Sequence, residues 1–185
     1  MVGTHYFPTR KGRRINFDQI SEEAIHIEDI AHALSMVCRF GGHCPRHYSV
    51  AEHSLLVAEL VPDKYKLAAL LHDASEAYVG DMVAPLKRLP NMKPYRMMED
   101  MIHGFIEAKF DVELDHNIIK EADIKALFIE ARSFYGMDEV RDWRFHESIV
   151  KWGETSGRDV LCYAPSPTKV KDQFMNAFLA YGGVK

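Results

Sequence analysis

Apolar residues recur along most of this chain every three to four positions, with glycine and proline as punctuation. Only the first segment departs from that rhythm. HYFPTRKGRRINF sets Gly12 between β-forming residues and predicts a short hairpin over roughly residues 5–17. IHIEDIAHALSMVCRF then places Ile27, Ile30, Ala31, Leu34, Val37 and Cys38 at i, i+3, i+4 spacing, a helix stopped by Gly41 and Gly42. Ser49, with Glu52 three residues on, is a capping-box start for a helix through Val61. Pro62 and Asp63 open the next helix, which runs through KYKLAALLHDASEAYV to Gly80, and a short turn of helix follows around VAPLKRL. Long helices are predicted from about Lys93 to Phe110 and from about Asn117 to Phe134, and a last one in SPTKVKDQFMNAFLAYGG, ended by Gly182 and Gly183. The pattern predicts an all-α fold with a small N-terminal β-hairpin. No repeat, low-complexity tract or linker divides it, so residues 1–185 read as one domain.

Composition narrows the partners. The 185 residues carry a net charge of −4, without the basic excess of a nucleic-acid binder, so no nucleic-acid partner is expected. No apolar run approaches the ~18–20 residues that cross a membrane, and MVGTHYFPTRKGRR lacks the apolar stretch of a secretory signal. Cys38, Cys44 and Cys162 show no metal-type pairing and read as free thiols of a reducing compartment. A soluble, cytoplasmic protein is expected.

Ten histidines are the compositional flag. In LLHDASEAYVGD, His72, Asp73, Glu76 and Asp81 follow directly on two leucines, where ionisable groups need a partner against desolvation. On a helix, His72 and Glu76 are i, i+4 and Asp73 and Glu76 are i, i+3, so all three lie near one face. His53 stands in an apolar helix beside Val50, Leu56 and Val57, and Asp123 among Ile119, Ala122, Ala126 and Leu127. Either alone reads equally as a core histidine or a wet-edge aspartate. Together with His72 and Asp73 they form a mixed nitrogen and oxygen set, suited to a first-row divalent metal with positions left for water and phosphate. Glu130, two turns after Asp123, shares that face in a supporting role. His32 falls on the apolar side of its helix as a core histidine.

These segments, VAEHSL, LLHDASEAYVGDMVAPLK and KEADIKALFIEA, resemble the HD-domain phosphohydrolase superfamily. Within it they are similar to the bacterial 5′-deoxynucleotidase branch and its phage-type members, which include dATP triphosphohydrolases. The resemblance runs from about Arg13 to Glu130 and implies a helical bundle binding one divalent ion (Zn, Co, Mn, Fe or Ni) through His53, His72, Asp73 and Asp123. It implies that Glu76 lies beside the water and Asp81 faces the phosphate, with Arg39 and Phe40 bordering the nucleotide. Phe40 departs from the Trp of the bacterial members. Arg39 and Lys87 would hold phosphate oxygens, Arg39 through its bidentate fork. The implied reaction removes phosphate or triphosphate from the 5′ position of a 2′-deoxynucleotide. The cluster from Arg10 to Arg14 leans towards longer phosphate tails. A homo-oligomer is the default of the branch. The competing reading is a nucleotide-sensing HD domain without turnover.

Overall fold

The computed structural model describes residues 6–160 and 163–184, so His5 and Cys162 lie outside the described residues. β1 (Tyr6–Pro8) pairs antiparallel with β2 (Arg14–Asn16), Phe7 opposite Ile15. The turn between them closes through Thr9 and Arg13, with Gly12 at φ +78, where a side chain is disfavoured. The remaining regular elements are helical: α1 (Ile27–Met36), α2 (Val50–Glu59), α3 (Lys66–Leu71), α4 (Glu76–Val79), α5 (Ala84–Lys87), α6 (Lys93–Phe110), α7 (Asn117–Tyr135), α8 (Met137–Asp142), α9 (Glu147–Ser156) and α10 (Pro167–Ala180). The fold is all-α with an N-terminal hairpin. Among the described residues, no helix is long and apolar enough to cross a membrane.

The main core gathers Ile15 of the hairpin, Ile30 and Leu34 of α1, Val57 of α2, Leu70 and Leu71 of α3, and Ile102 and Ile106 of α6. α10 closes it, packing on α1, α2 and α3 with Val170, Phe174 and Phe178, all fully buried at i, i+4, i+8. The sequence sets both ends of α10. Ser166 accepts a hydrogen bond from Lys169 N, and Pro167 occupies the first turn. At the other end Gly183 N donates to Phe178 O and Gly182 N to Leu179 O, with Gly182 at φ +94. A separate small cluster of Phe128, Ala131, Val140 and Ile149 holds α8 and α9 on α7.

Two expected helices are interrupted. α1 stops at Met36, because the chain from Val37 turns extended: Arg39 N donates to Tyr48 O and Val50 N to Val37 O. These bonds pin the two ends of the loop 37–49. Within it Phe40, Gly41 and Gly42 take φ of 56, 59 and 83, the left-handed region that costs a side chain such as Phe40 about 1–2 kcal/mol. The helix expected from Asp63 to Val79 is a 3₁₀ turn (Asp63–Tyr65), α3, an overwound stretch and α4. From Ala74 to Tyr78 the backbone bonds reach back three residues: Ala74 N to Leu71 O, Glu76 N to Asp73 O, Ala77 N to Ala74 O and Tyr78 N to Ser75 O. His32 is half-buried, not a core residue.

Candidate active site

Both interruptions lie at one place, where α2, the stretch after α3 and α7 meet. His53 shares the buried face of α2 with Val50, Ala51, Ser54 and Val57 and is 0% exposed. Its Nδ1 is 2.6 Å from Glu130 Oε1 of α7, so Nδ1 donates and Nε2 points away from Glu130. His72 Nδ1 lies 2.7 Å from Ala69 O, which can only accept, so here too Nδ1 carries the proton. The overwinding turns Asp73 and Glu76, three residues apart, towards one side.

The Nε2 atoms of His53 and His72 are buried and make no well-aligned hydrogen bond. They face carboxylates. His53 Nε2 is 3.1 Å from Asp123 Oδ1 and 3.5 Å from Asp73 Oδ2. His72 Nε2 is 3.2 Å from Asp73 Oδ2 and 4.0 Å from Asp123 Oδ1. Donor atoms of His53, His72 and Asp123 lie within 4.8 Å of one another. The 3.1 and 4.0 Å from the two imidazoles to Asp123 Oδ1 are spans that bonds of about 2.0–2.2 Å to one first-row ion can bridge. Asp73 stands outside that group of three, with Oδ2 beside both imidazoles. The cluster can hold a divalent metal, and the two orphaned nitrogens fit that group.

The charges are mutually adjusted. Burial and Arg39 favour a neutral His53, but Glu130 and Asp123 outweigh them and raise it to about 9. His72 is raised as well, against its burial, by Asp73 and Asp123. Burial disfavours the Asp73 carboxylate, yet His72, His53 and Arg39 hold it well below the usual range. Asp123 is lowered by the two histidines against the same penalty. Glu76, 7% exposed with Oε2 unpartnered, moves the other way: burial first, then Asp73 and Asp81, hold it well above the ordinary carboxyl range. Asp81 is raised by burial and by Asp73, against Arg39.

Asp73 and Asp123 of the cluster, with Arg39, Glu76, Asp81, Lys87 and Arg88, form the polar end of a cavity of about 700 Å³, which His53 and His72 do not line. Phe40, Tyr135, Trp143 and Phe145 form its aromatic end, which adjoins the polar one where Arg39 lies 5.4 Å from the Phe40 ring centre, and Met82–Pro85 complete the lining. Phe40 meets Tyr135 edge-on at 5.7 Å, and Trp143 stacks on Phe145 at 6.2 Å and 19°. Arg144, at φ 55, turns the chain between those two rings.

Arg39 and Lys87 line the cavity but are already engaged. Arg39 Nε and Nη2 both donate to Glu130 Oε2, at 3.2 and 3.1 Å, and Nη1 stands 3.6 Å from Asp73 Oδ2. The fork expected to grip phosphate therefore spends one edge on Glu130. Lys87 Nζ donates to Glu99 Oε1 at 2.6 Å. The basic cluster lies elsewhere: Arg13 pairs with Asp29 at 2.8 Å, Arg14 sits over the Tyr6 ring, and none of residues 10–14 lines the cavity.

Comparison with known proteins gives 39% identity over 145 residues with the uncharacterized protein YfdR of Escherichia coli (strain K12), covering 78% of this chain and 80% of the relative. The chain belongs to the YfdR family. The uncharacterized protein RCAP_rcc00048 of Rhodobacter capsulatus is 37% identical over 142 residues, 69% of this chain and 72% of the relative. More distantly, 5′-deoxynucleotidase VP0926 of Vibrio parahaemolyticus is 26% identical over 132 residues, 60% of this chain and 59% of that protein. No family model matches the chain.

In this member of the YfdR family, sequence reasoning named the residues of the polar end and Phe40 of the aromatic one, and missed the other three rings. Tyr135, Trp143 and Phe145 fall after the last motif. Their signal was WRF inside the polar run MDEVRDWRFHES, where a solvated linker has no use for two large rings. His43 and His47, in the loop before α2, do not line the cavity.

Proposed function

We propose that this chain is a divalent-metal-dependent phosphohydrolase that removes the 5′-phosphate of 2′-deoxynucleoside monophosphates. One observation carries the reading: two buried imidazole nitrogens, both freed by donation from Nδ1, converge with two carboxylates that line a cavity also lined by aromatic rings. A phosphate against the polar residues and a nucleobase against the rings match that division. The deoxy preference is supported by the distant relatives named 5′-deoxynucleotidase.

His53, His72, Asp73 and Asp123 would hold the ion. When bound, it supplies Lewis-acid chemistry, neutralising phosphate charge and lowering the pKa of a water. Nη1 of Arg39, the edge of the guanidinium not committed to Glu130, binds a phosphate oxygen. Glu76 and Asp81 divide the proton transfers. One carboxylate takes the proton of the attacking water, and the other, kept protonated by burial and by its neighbour's charge, gives one to the departing 5′-oxygen. Phe40, Tyr135, Trp143 and Phe145 exclude water and offer ring faces to the base.

Monophosphate is favoured over triphosphate by the lining charges. Four carboxylates, Asp73, Glu76, Asp81 and Asp123, face three cations, Arg39, Lys87 and Arg88, and two of those cations are already paired. Even with a divalent ion added, such a lining leaves little positive charge to neutralise a longer phosphate tail. The basic residues that leaned towards a longer tail lie outside the cavity.

The test is product analysis after metal is stripped and reloaded, across deoxy- and ribonucleoside mono- and triphosphates, with Asp73→Ala as control. Inorganic phosphate from deoxynucleoside monophosphates alone is the expected result. Triphosphate released from a deoxynucleoside triphosphate would overturn the monophosphate assignment. No metal-dependent product from any of them would overturn the enzyme and leave the sensing domain.

A further inference from the structure

We propose that Glu130 is a positioning residue that couples the hold on the metal to the hold on the phosphate. This rests on the reading above and deepens it. Glu130 is 0% exposed and does not line the cavity, so it touches neither substrate nor ion. Both of its oxygens are committed. Oε1 accepts from His53 Nδ1 at 2.6 Å and from Tyr48 OH at 3.0 Å, and Oε2 accepts from Arg39 Nε at 3.2 Å and Nη2 at 3.1 Å.

Each oxygen serves a different part of the site. The bond to Nδ1 fixes the tautomer and ring plane of His53, so Nε2 presents its lone pair to the other ligands. The two bonds from Arg39 hold one edge of its guanidinium, which leaves Nη1 beside Asp73 and the cavity. α7 thus carries one ligand, Asp123, and two turns later the carboxylate that orients a second ligand on α2. A purely structural carboxylate would tie α7 to α2 equally well, yet would not need its two faces on a ligand and on Arg39.

Glu130→Gln separates the roles. A glutamine keeps one accepting oxygen but turns an NH₂ towards either the His53 and Tyr48 donors or the Arg39 donors, so one arm must fail. In the full chain, cobalt(II) affinity is measured by chelator competition, inorganic phosphate binding is followed on the cobalt-loaded protein, and melting is recorded for the metal-stripped forms. Glu130→Gln should weaken cobalt roughly 10–100-fold, or weaken phosphate on the cobalt form, beyond what its melting shift accounts for. Tyr48→Phe removes a donor from the same oxygen, a hydroxyl that bonds to Glu130 and to neither a ligand nor Arg39. It should lower melting while leaving cobalt and phosphate binding as in the wild type.

Wild-type cobalt and phosphate binding in folded Glu130→Gln, or equal losses in Tyr48→Phe, overturns the proposal. Should Glu130→Gln fail to fold, nitrogen-15 histidine spectra of the zinc-loaded wild type decide. A retained His53 Nδ1 proton with zinc on Nε2 supports the proposal, and zinc on Nδ1 overturns it. A wild type that binds no cobalt overturns the functional reading itself, which is distinct from an indifferent Glu130→Gln in a chain that does bind it.

Discussion

The two ends of the cavity are built on opposite principles. At the polar end, His53 of α2 and His72 after α3 sit in or against the main core, fixed by Glu130 and by Ala69 O, and Glu130 also holds Arg39 of the loop 37–49. At the aromatic end, rings come from the loop 37–49 and from the segment after α7, which rests on its own small cluster of Phe128, Ala131, Val140 and Ile149. Directional bonds with buried partners set positions to a few tenths of an ångström. Ring faces tolerate sliding, because dispersion and stacking vary slowly with offset. A reaction centre needs the first, and a pocket that holds one of several flat bases can use the second. Substitutions at the two ends should therefore fail in different ways.

The largest effect is expected at the polar end. Glu76→Gln should lower kcat by about 10²–10⁴-fold, the usual worth of a positioned acid or base, while metal content stays that of the wild type. Because Glu76 is buried beside Asp73 and Asp81, a neutral isostere should leave the melting temperature unchanged or higher. Loss of metal would make Glu76 a ligand, and full activity would remove it from the chemistry. Trp143→Ala should instead raise KM, with kcat nearly preserved. Base stacking is worth about 1–3 kcal/mol per ring, or roughly 5–150-fold in KM if binding alone is lost. Trp143 is 37% exposed, so its removal leaves the core intact. A collapse of kcat would show that the aromatic end shares in positioning the reacting atoms, and the contrast between the two ends would fall.

A pH series probes the same contrast on the metal. In the stripped protein His53 ionises at about 9, above the ordinary histidine value, so at neutral pH it holds a proton that the ion must displace. Metal affinity should then rise as pH rises, by about tenfold per unit for that one proton, and level off once pH passes about 9. Titration calorimetry in buffers of different ionisation enthalpy would count the protons released. Affinity flat across this range would mean that His53 is not displaced from its proton and is no ligand.

What could be read from the sequence divides along the same line. Ser49 and Glu52 announced the start of α2, and both arms of that capping box are made. The bounds of α6 and α7 were legible because long amphipathic periods end at clear stops. His53, His72, Asp73 and Asp123 were legible as ionisable residues out of place in apolar helices. The overwinding between α3 and α4 was not, since a few residues of three-residue repeat leave the apolar period almost unchanged. Nor was the early end of α1. Val37 and Cys38 fit its apolar stripe, and only the pairing with Tyr48 and Val50 draws them into extended backbone. The aromatic end depends on a left-handed Phe40 and Arg144, conformations that side-chain identity does not announce.

The smallest effect is expected at the hairpin, and it sharpens the assignment of substrate. Arg10 and Lys11 are exposed at the turn between β1 and β2, outside the cavity lining. Arg13 is held by Asp29, itself 4% exposed, so changing Arg13 would mix a fold effect with any binding effect. The clean variant is therefore Arg10→Ser with Lys11→Ser. Surface changes of this kind move stability by no more than about 0.5 kcal/mol, and kcat and KM for a deoxynucleoside monophosphate should stay at wild-type values. A selective loss of turnover with deoxynucleoside triphosphates would give the turn a phosphate tail to bind. Since these residues are outside their own chain's cavity, that tail would have to belong to a neighbouring copy, and the site would extend across an assembly.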